Sequence, residues 1–281
     1  MEENFNLNEA STRASESKHE ITPKPKHEIT PKIYAAIKKI KNMKYYRNEA
    51  ACSGAVHNIA NHEAAIANIF DEHGLKKYKP PKKLKKENAM KWLDDPKLAS
   101  HIPNGTYIEQ PFGKQSSPDF IVKENDAVFF IEAKSVDKNA KPLYNSGGIN
   151  PNFIYIFCSK KFNETTIYRG CDIISQPQYK LIQDHIAECR KRDKILNEEL
   201  KKLDTTHRGV NYYTRPMIGQ AGSKEYTNYF IHKQRKQVEQ NTLGWIKNMC
   251  NNKVNSNDEN NKEDEFSDVE IDFELLGEDF E

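Results

Sequence analysis

The chain has 281 residues, 36% hydrophobic and 30% charged, with a formal net charge of +2 and a mean hydropathy of −0.88. No stretch approaches the ~20 consecutive apolar residues of a membrane-spanning helix, and the acidic start Met1-Glu2-Glu3-Asn4 does not read as a secretory signal. These features argue against a membrane protein and predict a cytoplasmic chain with one large domain or two small ones.

The small net charge is an average over two opposed segments. Residues 251–281 carry twelve acids and two lysines, a net −10, which leaves +12 on residues 1–250. A basic body favours a polyanionic partner, most often nucleic acid. A lysine-rich solvated surface is the competing reading. The five cysteines, Cys52, Cys158, Cys171, Cys189 and Cys250, are too far apart for a Cys-x-x-Cys pair. That spacing argues against structural zinc and a disulfide framework.

In chain order, residues 1–44 read as an extended arm. It contains a tandem octad at 18–33, Lys-His-Glu-Ile-Thr-Pro-Lys followed by Pro in the first copy and Ile in the second, too short a unit for a solenoid. Residues 45–250 read as the α/β body. A helix is predicted over about 48–73, with Val56, Ile59, Ile66 and Phe70 on one face and Glu63 intruding into it. Seven lysines follow between Lys76 and Lys86, broken by Pro80-Pro81. Two apolar runs, 120–122 and 127–131, flank a polar turn and predict a β-hairpin. A further strand is predicted over 153–158. A long amphipathic helix is predicted over 178–204, with Asp193 interrupting its apolar seam. Residues 251–281 read as an acidic, disordered tail. It would compete with a polyanion for the basic body.

The chemistry concentrates on the hairpin. Asp119 opens its first strand, while Glu132 lies near the end of its second, so both come to the same open end. Glu132 and Lys134 are two apart and share a strand face. Two carboxylates held close repel unless a cation lies between them. Such a hard oxygen pair suits Mg²⁺. A surface Glu–Lys pair on a hairpin edge is the bland alternative. Glu63 reads either as a further acid over this site or as half of a salt bridge at the rim of its helix. His62 beside it reads as an ordinary polar residue pointing elsewhere.

A helix followed by a hairpin with these residues resembles the PD-(D/E)XK nuclease superfamily, and within it the type II restriction endonucleases. The resemblance extends over roughly 50–175. It rests on Gln115-Ser116-Ser117-Pro118-Asp119-Phe120-Ile121-Val122, on residues 141–148, on the strand around Ile154-Tyr155-Ile156-Phe157, and on residues 165–174. It implies a restriction-endonuclease-like core, a mixed central sheet flanked by helices. It also implies that Asp119 and Glu132 bind Mg²⁺ with the Ala133 carbonyl as third ligand, that Lys134 is the catalytic lysine, and that Glu63 is the acid on the first helix. Gln115 would lie on the substrate side of the cleft. The implied reaction is hydrolysis of double-stranded DNA to 5′-phosphate ends by a homodimer, accompanied by a methyltransferase of the same specificity.

DNA phosphates would be met by the lysine run, with Lys82 and Lys83 as representatives. Base reading would fall to residues 207–237, with Arg208, Asn211 and Arg215 as the leading candidates. A solvated lysine loop and an aromatic cluster under the long helix are the respective alternatives. A junction-resolving or repair nuclease, and a DNA-binding protein without catalysis, remain the alternative functions.

Overall fold

In a computed structural model, residues 30–47, 61–114, 116–138, 142–145, 148–219 and 230–251 are described. The helices are α1 (Lys32–Lys41), α2 (His62–Glu72), α3 (Lys86–Met90), α4 (Gln176–Leu203) and α5 (Arg235–Asn251). The strands are β1 (Lys76–Lys77), β2 (Thr106–Glu109), β3 (Phe120–Glu124), β4 (Ala127–Val136), β5 (Tyr144–Asn145), β6 (Ile154–Ser159), β7 (Glu164–Arg169) and β8 (Met217–Ile218). Six strands form one mixed sheet in the order β1-β2-β3-β4-β6-β7, and β5 pairs with β8 in a separate ladder. No helix among the described residues is long and apolar enough to cross a membrane.

The hairpin forms where the apolar runs predict it. Its polar turn is shorter than the sequence suggests, because Lys123 and Glu124 belong to β3 and pair with Val128 and Ala127. Only Asn125 and Asp126 turn, at φ of 48° and 60°. Two left-handed positions in a two-residue loop match the right-handed twist of the strands they join. Strand alternation then sends Phe120, Val122, Phe129 and Ile131 to one core and Ile121, Val128 and Phe130 to the other. β4 is central, antiparallel to β3 and parallel to β6.

Helices cover both faces. On the first lie α1, α2 and α5, through Ile37, Ile66, Phe70 and Ile246. On the second lie α3, the turn carrying Trp92, and the start of α4. Of the residues read as an extended arm, 32–41 are instead α1. Ile33, Ala36, Ile37 and Ile40 are spaced for one helical stripe and are fully buried. The amides of Lys32 and Ile33 at its start donate to the Glu124 carboxylate at 2.8 and 2.6 Å. Residues 18–29 of the octad repeat and the tail after residue 251 lie outside the described residues, as does the 48–60 part of the helix predicted over 48–73.

α4 begins and ends within two residues of its predicted bounds, opened by Ser175 and Gln178 in a reciprocal cap. It buries only Ile186. A strap of residues 204–216 runs back along it. Asn197 bonds both backbone groups of Tyr212 at 2.7 Å, and Asp193 accepts from Thr214 at 2.6 and 2.8 Å. Asp193 breaks the apolar seam because it pins this strap.

Candidate active site

The β3–β4 register pairs Phe120 with Ile131, so one step further sets Asp119 opposite Glu132. Residues directly opposed on antiparallel strands share a face with Cβ atoms about 5 Å apart. Lys134, two places on, lies on that face too. The next opposed pair is Pro118 with Ala133. Ala133 donates its amide to Asp119 Oδ2 at 2.8 Å, and Pro118 has no N–H to offer the Ala133 carbonyl. The proline of the motif therefore ends the ladder where the carboxylates meet.

Lys134 Nζ donates to Glu132 Oε1 at 2.6 Å, with the two side chains 15% and 7% exposed. A surface pair on a hairpin edge is thereby ruled out: the pair is nearly buried and sits on the central strand. Glu132 Oε2 is buried and has no hydrogen-bond partner among the described residues. Burial first, and then the Glu132 charge, push the Asp119 carboxyl up to about 7; Glu63 adds to the rise, while the Ala133 amide and Lys134 oppose it. Two opposed carboxylates, one with an orphaned oxygen, constitute an incomplete electrostatic site.

Glu63 arrives through α2. That helix has 11 residues and is capped by Asn61, whose side chain accepts from Ala64 at 2.8 Å. Its C-terminal end packs beside β2, where Tyr107 bonds Asp71. Its first turn then lies about 12 Å away along the helix, and the Glu63 charge there raises the pKa of the Asp119 carboxyl. No cation pairs with Glu63 among the described residues, so the salt-bridge alternative finds no partner there.

His62 differs from its reading as an ordinary polar residue. It is buried and stacks on Tyr46 at 5.7 Å, and neither ring nitrogen meets a hydrogen-bond partner among the described residues. Burial pulls its pKa down to about 4 and keeps the ring neutral.

The structure thus gathers Asp119, Glu132, Ala133 and Lys134, while Glu63 acts on Asp119 only through its charge. Gln115 lies outside the described residues. Lys82 and Lys83 are exposed on the wall of a separate hollow of about 650 Å³, with Pro80, Pro81 and Trp92. Arg208, Asn211 and Arg215 are exposed on the strap along α4, apart from the carboxylates. Within the predicted reading segment, Arg235 is structural: it bonds Glu239 at 2.9 Å and pairs with Glu164.

One residue escaped the sequence reading. Of the seven lysines, Lys86 alone turns inward, its ammonium 5.9 Å from the Phe112 ring centroid. Burial lowers its pKa, Glu132 raises it, and Arg190 of α4 lowers it. Nothing in the run of lysines marks this one except its place at the start of a helix.

Two carboxylates, one of them with an orphaned oxygen, beside a backbone carbonyl form a hard donor set, and such a set fits Mg²⁺, which takes one or two carboxylates and keeps its waters. Among the described residues, no group of three or more His, Cys, Asp or Glu side chains is placed to hold a metal. Comparison with protein families, curated proteins and solved structures returns no match to this chain.

Proposed function

We propose that the chain is a Mg²⁺-dependent endonuclease of the PD-(D/E)XK kind, a type II restriction enzyme that hydrolyses double-stranded DNA to 5′-phosphate ends. The observation that carries this reading is the convergence of Asp119, Glu132 and Lys134 on one face, at the end of a ladder closed by Pro118, with Glu132 Oε2 unsatisfied. The mixed sheet with helices on both faces is compatible with a restriction-endonuclease-like core.

Asp119, Glu132 and the Ala133 carbonyl would hold Mg²⁺, which when bound supplies a water acidic enough to attack at neutral pH and neutralises charge on the phosphate. Ala133 fixes the Asp119 carboxylate through its amide. Lys134 takes its position from Glu132 and presents a cation to the phosphate oxygens, where negative charge grows in the transition state. Glu63 adds negative charge over the same site. A homodimer, each subunit cutting one strand, draws support from the exposed Ile195, Leu196 and Leu203 of α4. A methyltransferase of matching specificity would protect the host DNA.

The test is incubation of the protein with plasmid DNA and Mg²⁺. Discrete bands are expected, with Asp119→Ala and Lys134→Ala each lowering the rate by about 10³-fold. Cutting confined to branched substrates would move the reading to a junction-resolving nuclease. Absence of Mg²⁺-dependent cleavage overturns the nuclease reading and leaves a DNA-binding protein.

A further inference from the structure

The hollow of about 650 Å³ beside the lysine run carries charge of one sign. Lys82, Lys83, Lys85 and Lys91 stand on its walls, with no Asp or Glu among the described residues that line it. All four lysines are exposed, and none of their ammonium groups has a hydrogen bond or ion pair among the described residues. The rest of the lining is largely apolar: Pro80, Pro81, Leu84, the half-exposed Leu98 and, below them, the buried Trp92. Two other hollows differ. The one between α4 and the strap sets Asp193, Glu198 and Asp204 among its cations. In the one beside α1 and α5, Lys41 and Arg235 are already held by Glu164 and Glu239.

Charge and apolar surface together define what fits. A DNA backbone would use the lysines and leave the prolines and leucines uncovered. An apolar ligand would use the floor and leave four cations unmatched. The chain itself contains a segment with both features: Asp268-Val269-Glu270-Ile271-Asp272-Phe273-Glu274-Leu275 alternates acidic and apolar residues. Laid out extended in the hollow, it would turn its apolar side chains to the floor and its carboxylates to the rim.

The chain sets out toward this segment from beside the hollow. At the end of α5, the Cys250 carbonyl accepts from Asn125 of the hairpin turn at 3.5 Å. At the same turn, the Asp126 amide donates to Asn104 at 3.2 Å, and Lys123 donates to the carbonyls of Ala99 and Ile102. These bonds fasten the segment 96–104, which contributes Leu98 and His101 to the hollow. The 16 residues between Asn251 and Asp268 can span up to ~55 Å, so length does not limit the approach.

We propose that residues 268–275 dock in this hollow of their own chain, with the apolar residues against Leu84 and Leu98 and the acids against the four lysines. So short a tether holds the segment at a local concentration on the order of 1 mM, and an intrinsic Kd of about 0.2 mM then keeps the hollow filled roughly five-sixths of the time. The consequence for the enzyme rests on the nuclease reading, in which Lys82 and Lys83 meet DNA phosphates: DNA must displace the segment to reach them. The docking itself is measured without DNA.

The full-length protein is treated with a limiting amount of a lysine-acylating ester, and the rate at each lysine is read by peptide mass spectrometry. In one variant Val269, Ile271, Phe273 and Leu275 become Ser, which leaves the charge unchanged. In a second, Asp268, Glu270, Asp272 and Glu274 become Asn or Gln. Leu98→Ser alters the hollow instead. Each should raise acylation of Lys82, Lys83, Lys85 and Lys91 about 5-fold, while the exposed Lys180 of α4 keeps its rate. Melting curves verify that each variant is folded.

Unchanged rates in the Ser variant overturn the docking. Release by the acid variant alone does so too, because it marks a charge contact that ignores the apolar floor. Protection that grows with protein concentration places the segment of one copy on another and overturns the contact within one chain. Duplex binding in EDTA at low salt separates this proposal from the nuclease reading. Lysines released with DNA affinity unaltered keep the docking and remove Lys82 and Lys83 from the DNA contacts. Plasmid cleavage by a protein whose four lysines are never protected keeps the nuclease and removes the docking.

Discussion

The two ends of the β3–β4 hairpin hold buried charge in opposite conditions. At the turn end, Lys123 is buried and donates to the carbonyls of Ala99 and Ile102 at 2.9 and 2.8 Å. Beside it the buried Glu124 accepts two amides from the first turn of α1. Each charge there has partners within the fold, and the pair fastens an N-terminal helix and a loop onto the sheet. At the open end, two carboxylates face each other across the strands, one of them with an oxygen unpartnered and the other with a pKa pushed up to about 7. A chain that completes its buried charges at one end of a hairpin can do so at the other. The open end is where the proposed cation would bind.

Completion at the turn end is the first point to break. Glu124→Ala removes the only carboxylate at the start of α1 among the described residues, where Pro31 supplies no side-chain cap. Two amides lose a charged acceptor, and the expected cost is about 3 kcal/mol of unfolding free energy in urea titration. The Mg²⁺-dependent cleavage proposed for this chain should keep its rate per folded molecule near wild type, because the candidate site is a strand length away.

The open end should respond in the opposite direction. Asp119→Asn keeps an acceptor for the Ala133 amide but removes a charge that the fold resists. In the metal-free wild type, the folded chain holds the Asp119 proton up to about pH 7, whereas the unfolded chain releases it near the ordinary value of 3.8. The folded state therefore binds more protons between those values, and wild-type stability falls as pH rises through that window. Asn does not titrate. The variant should match wild type near pH 4 and exceed it by about 2 kcal/mol at pH 7.5, a figure reduced by half for the water that still reaches the carboxyl. Equal stability at both pH values would mean that the opposed carboxylates are not under strain.

How far the sequence discloses these two ends differs for physical reasons. The open end is legible because its signals are local: apolar runs set the strands and bring their outer ends together, and the period of two sets the face, whereas the exact register is not, because Lys123 and Glu124 read as turn and belong to β3. Asp119, Glu132 and Lys134 follow from these alone. The turn end is not legible, because Glu124 acts on α1 some ninety residues away, and no periodicity within β3 records that contact. The stripe Ile33, Ala36, Ile37 and Ile40 is visible in the sequence, but it abuts the octad repeat and is interleaved with Lys38, Lys39 and Lys41, which read as more of a basic arm. Lys86 is hidden for a different reason. Seven lysines look alike in sequence, and only the packing of α3 beside Phe112 turns one inward.

The smallest expected effect bears most directly on why the open end is left incomplete. If the opposed carboxylates are held for a divalent cation, binding it should stabilise the folded chain without any DNA present. A site with millimolar affinity, given ten times its dissociation constant, gains about 1.4 kcal/mol. For a body of this size that is a rise of roughly 3–6 °C in Tm. Ca²⁺ serves as well as Mg²⁺ here and forestalls turnover of any contaminating nucleic acid. EDTA should reverse the shift, Asp119→Asn should abolish it, and Glu124→Ala should retain it on a lower baseline. That last contrast separates the two ends: a cation that stabilised Asp119→Asn as much as wild type would be binding elsewhere on the surface, and the unpartnered Glu132 oxygen would then need another explanation.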